Sequence, residues 1–211
     1  CLLLHNPENL EGAREVLRSI KAEPRIKGQQ PVEIIPVITR LPADMKREDE
    51  EKLLTKVKDY LRMTHGKAFV LFTSYRMMDE VYEEVQPYLE RLGIISFKQG
   101  DGLSRSAMLM AFKRDKNSVL FGTSSFWGGV DVQGESLSNV IITKLPFEVP
   151  THPVIEARVK QIEAQGGNPF MEFSLPEAII RFKQGFGRLI RTKTDKGIVV
   201  ILDPRVVTKF Y

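Results

Sequence analysis

Five short apolar runs, separated by stretches of amphipathic helical pattern, constrain this chain more than any other feature. They lie at residues 68–72, 94–97, 118–121, 140–142 and 198–202. The run at 68–72 is continuous rather than alternating, which is the pattern of a strand buried on both faces. Between them apolar residues recur at helical period. Leu53, Leu54, Val57 and Leu61 mark a helix ending at Gly66, and Met78, Val81, Val85 and Leu89 mark a second, ended by Gly93. Ser104 opens a third that runs through Phe112, and residues 154–164 read as a fourth, closed by Gly166-Gly167. Strand–helix alternation of this kind predicts right-handed crossovers and an α/β fold, a mostly parallel sheet with helices on both faces.

The regular pattern begins at residue 46. Residues 1–45 carry no motif. Leu10, Ala13, Leu17 and Ile20 suggest a short helix, and Pro24, Pro31, Pro36 and Pro42 punctuate a loop around a candidate strand at 32–38. The chain therefore divides into an N-terminal segment, 1–45, and one α/β domain, 46–211. With 42% hydrophobic residues it can build a sizeable core, and its net charge of +4 suits a nucleic-acid or nucleotide partner without singling one out. The single cysteine, Cys1, excludes an internal disulfide and any cysteine-held zinc or iron–sulfur site within the chain, which points to a reducing, cytoplasmic compartment. There is no secretion signal and no apolar run long enough to span a bilayer. The missing initiator Met and the stop just after an apolar strand suggest a piece of something longer.

Ligands of parallel sheets bind at the carboxyl ends of the strands. The loops there are Thr73-Ser74-Tyr75, Gln99-Gly100-Asp101, residues 123–131 and residues 144–148. The third is the most unusual: Thr123-Ser124-Ser125-Phe126-Trp127-Gly128-Gly129-Val130-Asp131 offers hydroxyls, adjacent glycines, the only Trp and a carboxylate. Hydroxyls and free backbone N–H groups hold phosphates without regard to sequence. Phe126 or Trp127 could stack on a base, or both could be core with the glycines making a turn. Thr73-Ser74-Tyr75 reads equally well as a helix cap with a surface tyrosine, and Gln99-Gly100-Asp101-Gly102 as a plain turn.

A second unusual stretch is Gln184-Gly185-Phe186-Gly187-Arg188-Leu189-Ile190-Arg191. It closes a helical pattern that starts at Ser174, where Ser174 and Glu177 read as a capping box with Pro176 in the first turn. Leu175, Ile179, Phe182, Phe186 and Leu189 form its apolar stripe. Gln184, Arg188 and Arg191 fall at i, i+4 and i+7 and share another face. Two fixed positive charges one turn apart, beside an amide, suit a phosphate anion. Each helical glycine costs about 1 kcal/mol relative to Ala, so Gly185 and Gly187 suggest close approach of a backbone or ligand. The plain alternative is an amphipathic helix with a solvated basic edge.

Other constellations fail. His5, His65 and His152 lack metal-ligand spacing. Gly66-Lys67 is not a phosphate-cradling loop, because the earlier glycine and the following Ser or Thr are missing. Asp79-Glu80 lies inside an amphipathic helix and reads as a solvated pair rather than a magnesium site. The chain thus has arginines suited to a transferring phosphoryl group but no cradle for it, and such arginines can act on a nucleotide held by another domain.

Taken together, these residues resemble the second RecA-like motor domain of a superfamily 2 helicase of the XPD/DinG group. Gln184-Gly185-Phe186-Gly187-Arg188-Leu189-Ile190-Arg191 looks like motif VI, Ser125-Phe126-Trp127-Gly128-Gly129-Val130-Asp131 like motif V, and Leu71-Phe72-Thr73-Ser74-Tyr75 like motif IV. Lys144-Leu145-Pro146-Phe147, His152-Pro153-Val154-Ile155-Glu156-Ala157-Arg158 and Leu202-Asp203-Pro204-Arg205 also resemble the DinG branch. The similarity runs from about residue 61 to the end, and bacterial DinG-like helicases resemble it most. It implies a RecA-like three-layer α/β/α domain without its own P-loop.

The resemblance further implies that ATP with Mg²⁺ is held mainly by a first RecA-like domain. Arg188, Arg191 and Gln184 would then approach the γ-phosphate, with Gly129, Asp131 and Gly187 also at the nucleotide. Single-stranded DNA would touch Ser74, Tyr75, Gln99, Gly100, Thr123, Ser125 and Trp127, with 5′→3′ polarity. The family usually has Glu where Gly128 stands. That departure leaves room for a rival reading, a non-catalytic nucleic-acid-binding or protein-interaction module on a degenerate motor fold.

Overall fold

The computed structural model describes residues 47–127, 132, 137–148, 152–186, 189, 197–203 and 205. In chain order the elements are α1 (Arg47–Met63), β1 (Ala68–Leu71), α2 (Tyr75–Arg91), β2 (Ser96–Lys98), α3 (Arg105–Arg114), β3 (Val119–Gly122) and the short α4 (Ser124–Trp127). They continue with β4 (Asn139–Ile142), α5 (Pro153–Ala164), a π-helical turn (Phe170–Ser174), α6 (Leu175–Phe186) and β5 (Ile198–Ile201). The five strands form one sheet in the order β2-β3-β1-β4-β5. Every pairing is parallel, with Ala68 of β1 level with Val119 of β3 and Asn139 of β4.

Four of the apolar runs become almost wholly buried strands, whereas the run at 94–97 gives the edge strand β2, which begins at Ser96, is only half-buried and leaves Ile95 exposed. Phe69, Leu71, Leu120, Val140, Ile142, Val199 and Ile201 face one cluster, which Met108 and Phe112 of α3, Phe126 of α4 and Phe182 of α6 complete. Ala68, Val70, Phe72, Val119, Phe121, Ile141 and Val200 face the other, under Leu53, Val57 and Leu61 of α1 and Met78, Val81, Val85 and Leu89 of α2. A fully buried side chain of this kind contributes about 1.5–3 kcal/mol, so the sheet sandwiched between two helical layers dominates stability.

The strand order explains which helix lies on which face. From β1 the chain steps across the sheet to β2, then reverses and advances through β3 and β4 to β5. Crossovers of constant right-handedness put a helix on opposite faces when the direction reverses. Accordingly α2 packs on one face, while α3, α4 and α6 pack on the other. The chain therefore leaves β1 toward one layer and leaves both neighbours, β3 and β4, toward the other. Ligands bind at such a reversal, beyond the carboxyl ends of the strands.

Local signals set several boundaries. Ser74 and Ser104 cap α2 and α3 by accepting hydrogen bonds from the N–H groups of Met77 and Ala107, at 3.4 and 3.2 Å. After α1, Gly66 adopts φ +75°, and a Cβ there would lie 2.1 Å from the carbonyl oxygen of Asn117. Glycine is required on both counts.

One start differs from the sequence expectation. Ser174 does not cap a helix; it ends the π-helical turn that runs directly into α6. The cap lies upstream, at Asn168. Its Oδ1 accepts from Phe170 N and Met171 N at 3.0 and 3.2 Å, and its own N–H donates to Glu172 Oε1 at 2.8 Å. Asn168 and Glu172 thus cap the turn reciprocally, in the manner of a capping box but at a spacing of four residues rather than three, with Pro169 pre-set for the first helical position. Once the chain is already helical at residue 169, Ser174 has no orphan N–H groups to satisfy. The expected apolar stripe is also incomplete: Phe182 and Leu189 are buried, but Ile179 is exposed and Ala178 takes the buried position.

Candidate functional site

Because all five strands are parallel, their exit residues collect on one edge. The ladder continues one residue past the strands. Gln99 N donates to Phe121 O at 3.0 Å, Phe72 N to Gly122 O at 2.9 Å, Thr143 N to Leu71 O at 3.1 Å and Leu202 N to Ile142 O at 2.9 Å. The first exit residues are thus held by the sheet itself rather than by loop packing.

Three of the expected site residues are joined there. Thr123 follows β3, Gln99 follows β2, and Tyr75 is the first residue of α2, just after β1. Gln99 Oε1 accepts from Thr123 N at 2.7 Å and from Thr123 Oγ1 at 3.0 Å. Gln99 Nε2 donates to the Tyr75 hydroxyl at 2.5 Å. Thr123 is buried, whereas Tyr75 is 54% exposed. A buried backbone N–H is therefore linked through one amide to a phenol on the surface.

The turn that carries Gln99 is braced from behind. Gly100 has φ +97°, and Asp101 N donates to Lys98 O at 3.2 Å. Lys98 Nζ lies 2.9 Å from Asp79 Oδ1 and 4.0 Å from Asp101 Oδ1, with the ammonium 5.3 Å from the Tyr82 ring centroid. The hydrogen bond to Asp79 is the main cause that holds the Lys98 pKa above its ordinary value, against the opposing effect of burial. Asp79 and Glu80 keep exposed side chains, as a solvated pair does, and Asp79 in addition anchors this turn through a partner nineteen residues away that no sequence pattern marks.

Ser74 is the α2 cap, with its hydroxyl committed to Met77 N. Ser125 is exposed on α4. Phe126 is 1% exposed and belongs to the core, so it is not a base-stacking surface. It fits against Gly122, where an added Cβ would lie 2.8 Å from the ring. The Arg105 guanidinium sits over the same ring, 5.6 Å from its centroid. The Trp127 backbone belongs to α4, and its side chain lies outside the described residues.

A second group links the exits of β4 and β5. Asp203, buried, accepts from Leu145 N at 2.8 Å through Oδ2. Arg205 donates to the same carboxylate, with Nη2 to Oδ2 at 2.6 Å and Nε to Oδ1 at 3.0 Å. Its guanidinium also lies over Phe147, 5.2 Å from the centroid, and Phe147 stacks on Phe170 of the π-helical turn at 5.9 Å. Arg181 of α6 pairs with Glu148. The order of α6 and of these exits is thus connected through side chains that residue spacing alone does not pair.

Gln184 is exposed in the last turn of α6, and Gly185 beside it is buried. Gly128, Gly129, Asp131, Gly187, Arg188 and Arg191 lie outside the described residues. Among the described residues no group of three or more His, Cys, Asp or Glu side chains could hold a metal, and no helix is long and apolar enough to cross a membrane.

Comparisons with known proteins agree with this architecture. A family profile described as the helicase C-terminal domain matches residues 57–211. The ATP-dependent DNA helicase YoaA of Haemophilus influenzae is 47% identical over 146 residues, covering 69% of this chain and 22% of that protein. The 3′-5′ exonuclease DinG of Bacillus subtilis is 42% identical over 146 residues, covering 69% of this chain and 16% of that protein. Among solved structures an XPD helicase superposes with a TM-score of 0.59 at 22% identity, covering 82% of this chain and 32% of the other, which shows a shared RecA-like fold. The chain spans about a fifth of the length of these curated relatives.

Proposed function

The chain belongs to the helicase C-terminal domain family of the XPD/DinG group, and from that premise we propose that it serves as the second motor domain of an ATP-dependent DNA helicase. ATP is bound mainly by a partner RecA-like domain of the same protein. Arg188 and Arg191, which follow α6 in the sequence, act on the γ-phosphate, with Gln184 beside them and Gly129, Asp131 and Gly187 also at the nucleotide.

Single-stranded DNA crosses the carboxyl edge of the sheet, near Ser74, Tyr75, Gln99, Gly100, Thr123, Ser125 and Trp127, and is driven 5′→3′. The observation that carries this reading is the bonded trio of Tyr75, Gln99 and Thr123. It fixes three strand exits on the edge where α/β sheets bind ligands, in a chain of helicase family. The net charge of +4 is modest, so binding by this domain is weak, salt-sensitive and indifferent to base sequence.

The test is DNA-stimulated ATP hydrolysis, measured on this chain alone and on the protein that contains it together with a P-loop domain. Turnover is expected only from the second. Substantial turnover by the chain alone would contradict the division of the nucleotide site between two domains, and none by either would contradict the motor reading.

A further inference from the structure

The hydrogen-bond polarity of the edge trio can be assigned without seeing a proton. Thr123 N is a backbone donor, so the Gln99 atom 2.7 Å from it is the amide oxygen. Thr123 Oγ1, 3.0 Å from the same oxygen, uses its second lone pair. The amide then presents its NH₂ group to Tyr75. That group only donates, so the phenol oxygen accepts the 2.5 Å bond. The proton of the Tyr75 hydroxyl is left for an acceptor elsewhere, on a ring that is 54% exposed.

The surroundings favour an anion as that acceptor. Tyr75 is the first residue of α2, a 17-residue helix whose first turn contains no acidic residue. The partial positive charge of a helix N-terminus lies there. The nearest carboxylate on α2, Asp79, is held by Lys98 at 2.9 Å.

We infer that Gln99 is a positioning residue that turns the Tyr75 hydroxyl into an outward proton donor for a nucleic-acid phosphate, rather than a residue whose own side chain touches the strand. The inference rests on the single-stranded DNA reading above. It changes the division of labour among the edge residues: Thr123 sets the amide, the amide sets the phenol, and the phenol meets the backbone. Recognition through a phosphate oxygen is blind to base identity, as a translocating motor requires.

The experiment titrates a fluorescein-labelled oligothymidylate with the 211-residue chain by anisotropy, with a thermal melt of each variant alongside. Tyr75→Phe is expected to weaken binding roughly tenfold, the effect of losing one hydrogen bond to a charged group. Gln99→Leu is expected to weaken it by a similar factor, and the double variant by no more than either single change. Gln99→Glu keeps an acceptor for Thr123 but draws the phenol proton inward, so it should weaken binding at least as much as Gln99→Leu while the melt stays near wild type. Wild-type-like binding by Tyr75→Phe, or a Gln99→Leu effect that persists in full on the Tyr75→Phe background, overturns the inference while leaving the DNA reading in place. Absence of binding by the wild-type chain overturns the DNA reading itself, before any variant is compared.

Discussion

Lys98 Nζ lies 2.9 Å from Asp79 Oδ1, a bond that ties the last residue of β2 to the second turn of α2. The Gln99 turn is therefore fastened on both sides, to α2 through this ion pair and to β3 through Thr123. Most of the Lys98 side chain is buried, so the pair is worth more than a free surface contact but remains within the range of single ion pairs.

Replacing Lys98 by Met should lower stability by about 0.5–1 kcal/mol. The folded pKa of Lys98 is raised above its ordinary value of 10.5, chiefly by the hydrogen bond to Asp79. A raised lysine contributes stability that is fully present below its unfolded pKa and is lost as pH rises through the folded one. Urea melts should therefore show a constant gap between wild type and K98M from neutral pH to near pH 10.5, closing only above it. A gap that closed on acidification toward neutral pH would contradict the assignment.

Gly122→Ala places a Cβ 2.8 Å from the Phe126 ring, at the end of a central strand. The ring is buried and cannot move outward, so the substitution should destabilise by about 1–3 kcal/mol. On a Phe126→Ala background, where the two nearest atoms, Cγ and Cδ2, are gone, the same glycine substitution should cost less. Chemical denaturation of both single variants and the double variant measures this, and an equal cost on the two backgrounds would show that another contact limits the site.

Asp203→Asn keeps the shape of the residue but removes the charge that Arg205 grips through two nitrogens. The carboxylate is buried and Arg205 is not, so the loss should be about 1–3 kcal/mol, the range for hydrogen bonds to a charged group. Because Asp203 also receives Leu145 N, the β4 exit should loosen as well. Amide hydrogen exchange at Leu145 should quicken more than exchange in β1.

Arg188→Ala and Arg191→Ala should each abolish most DNA-stimulated ATP hydrolysis in the complete motor. An arginine acting on a transferring phosphoryl group is worth roughly 10³–10⁵ in kcat, or about 4–7 kcal/mol of barrier. Lysine should rescue poorly, since an ammonium lacks the planar fork. Single-stranded DNA affinity without nucleotide should change little. Normal turnover in both alanine variants would return these arginines to a solvated edge.

What the sequence determined by itself is most of the strands and long helices and the class of fold, though not the short α4 or the π-helical turn. A strand buried on both faces must be apolar throughout, so residues 68–72 and 198–202 announced themselves, and the helices between them carried their own period. The parallel arrangement followed from their alternation, and with it the edge on which Tyr75, Gln99 and Thr123 meet. Tertiary structure decided the rest, because the partners are distant in the chain and their bonds leave no periodic trace. Gln99 reaches Tyr75 and Thr123 across 24 residues in each direction, and Lys98 reaches Asp79 across 19. The start of the last helix shows the same limit at short range. Ser174-Leu175-Pro176-Glu177 holds every local mark of a helix cap, yet Asn168 and Glu172 had already closed the box upstream. A cap needs unsatisfied N–H groups, and whether any remain depends on where the chain has been before it arrives.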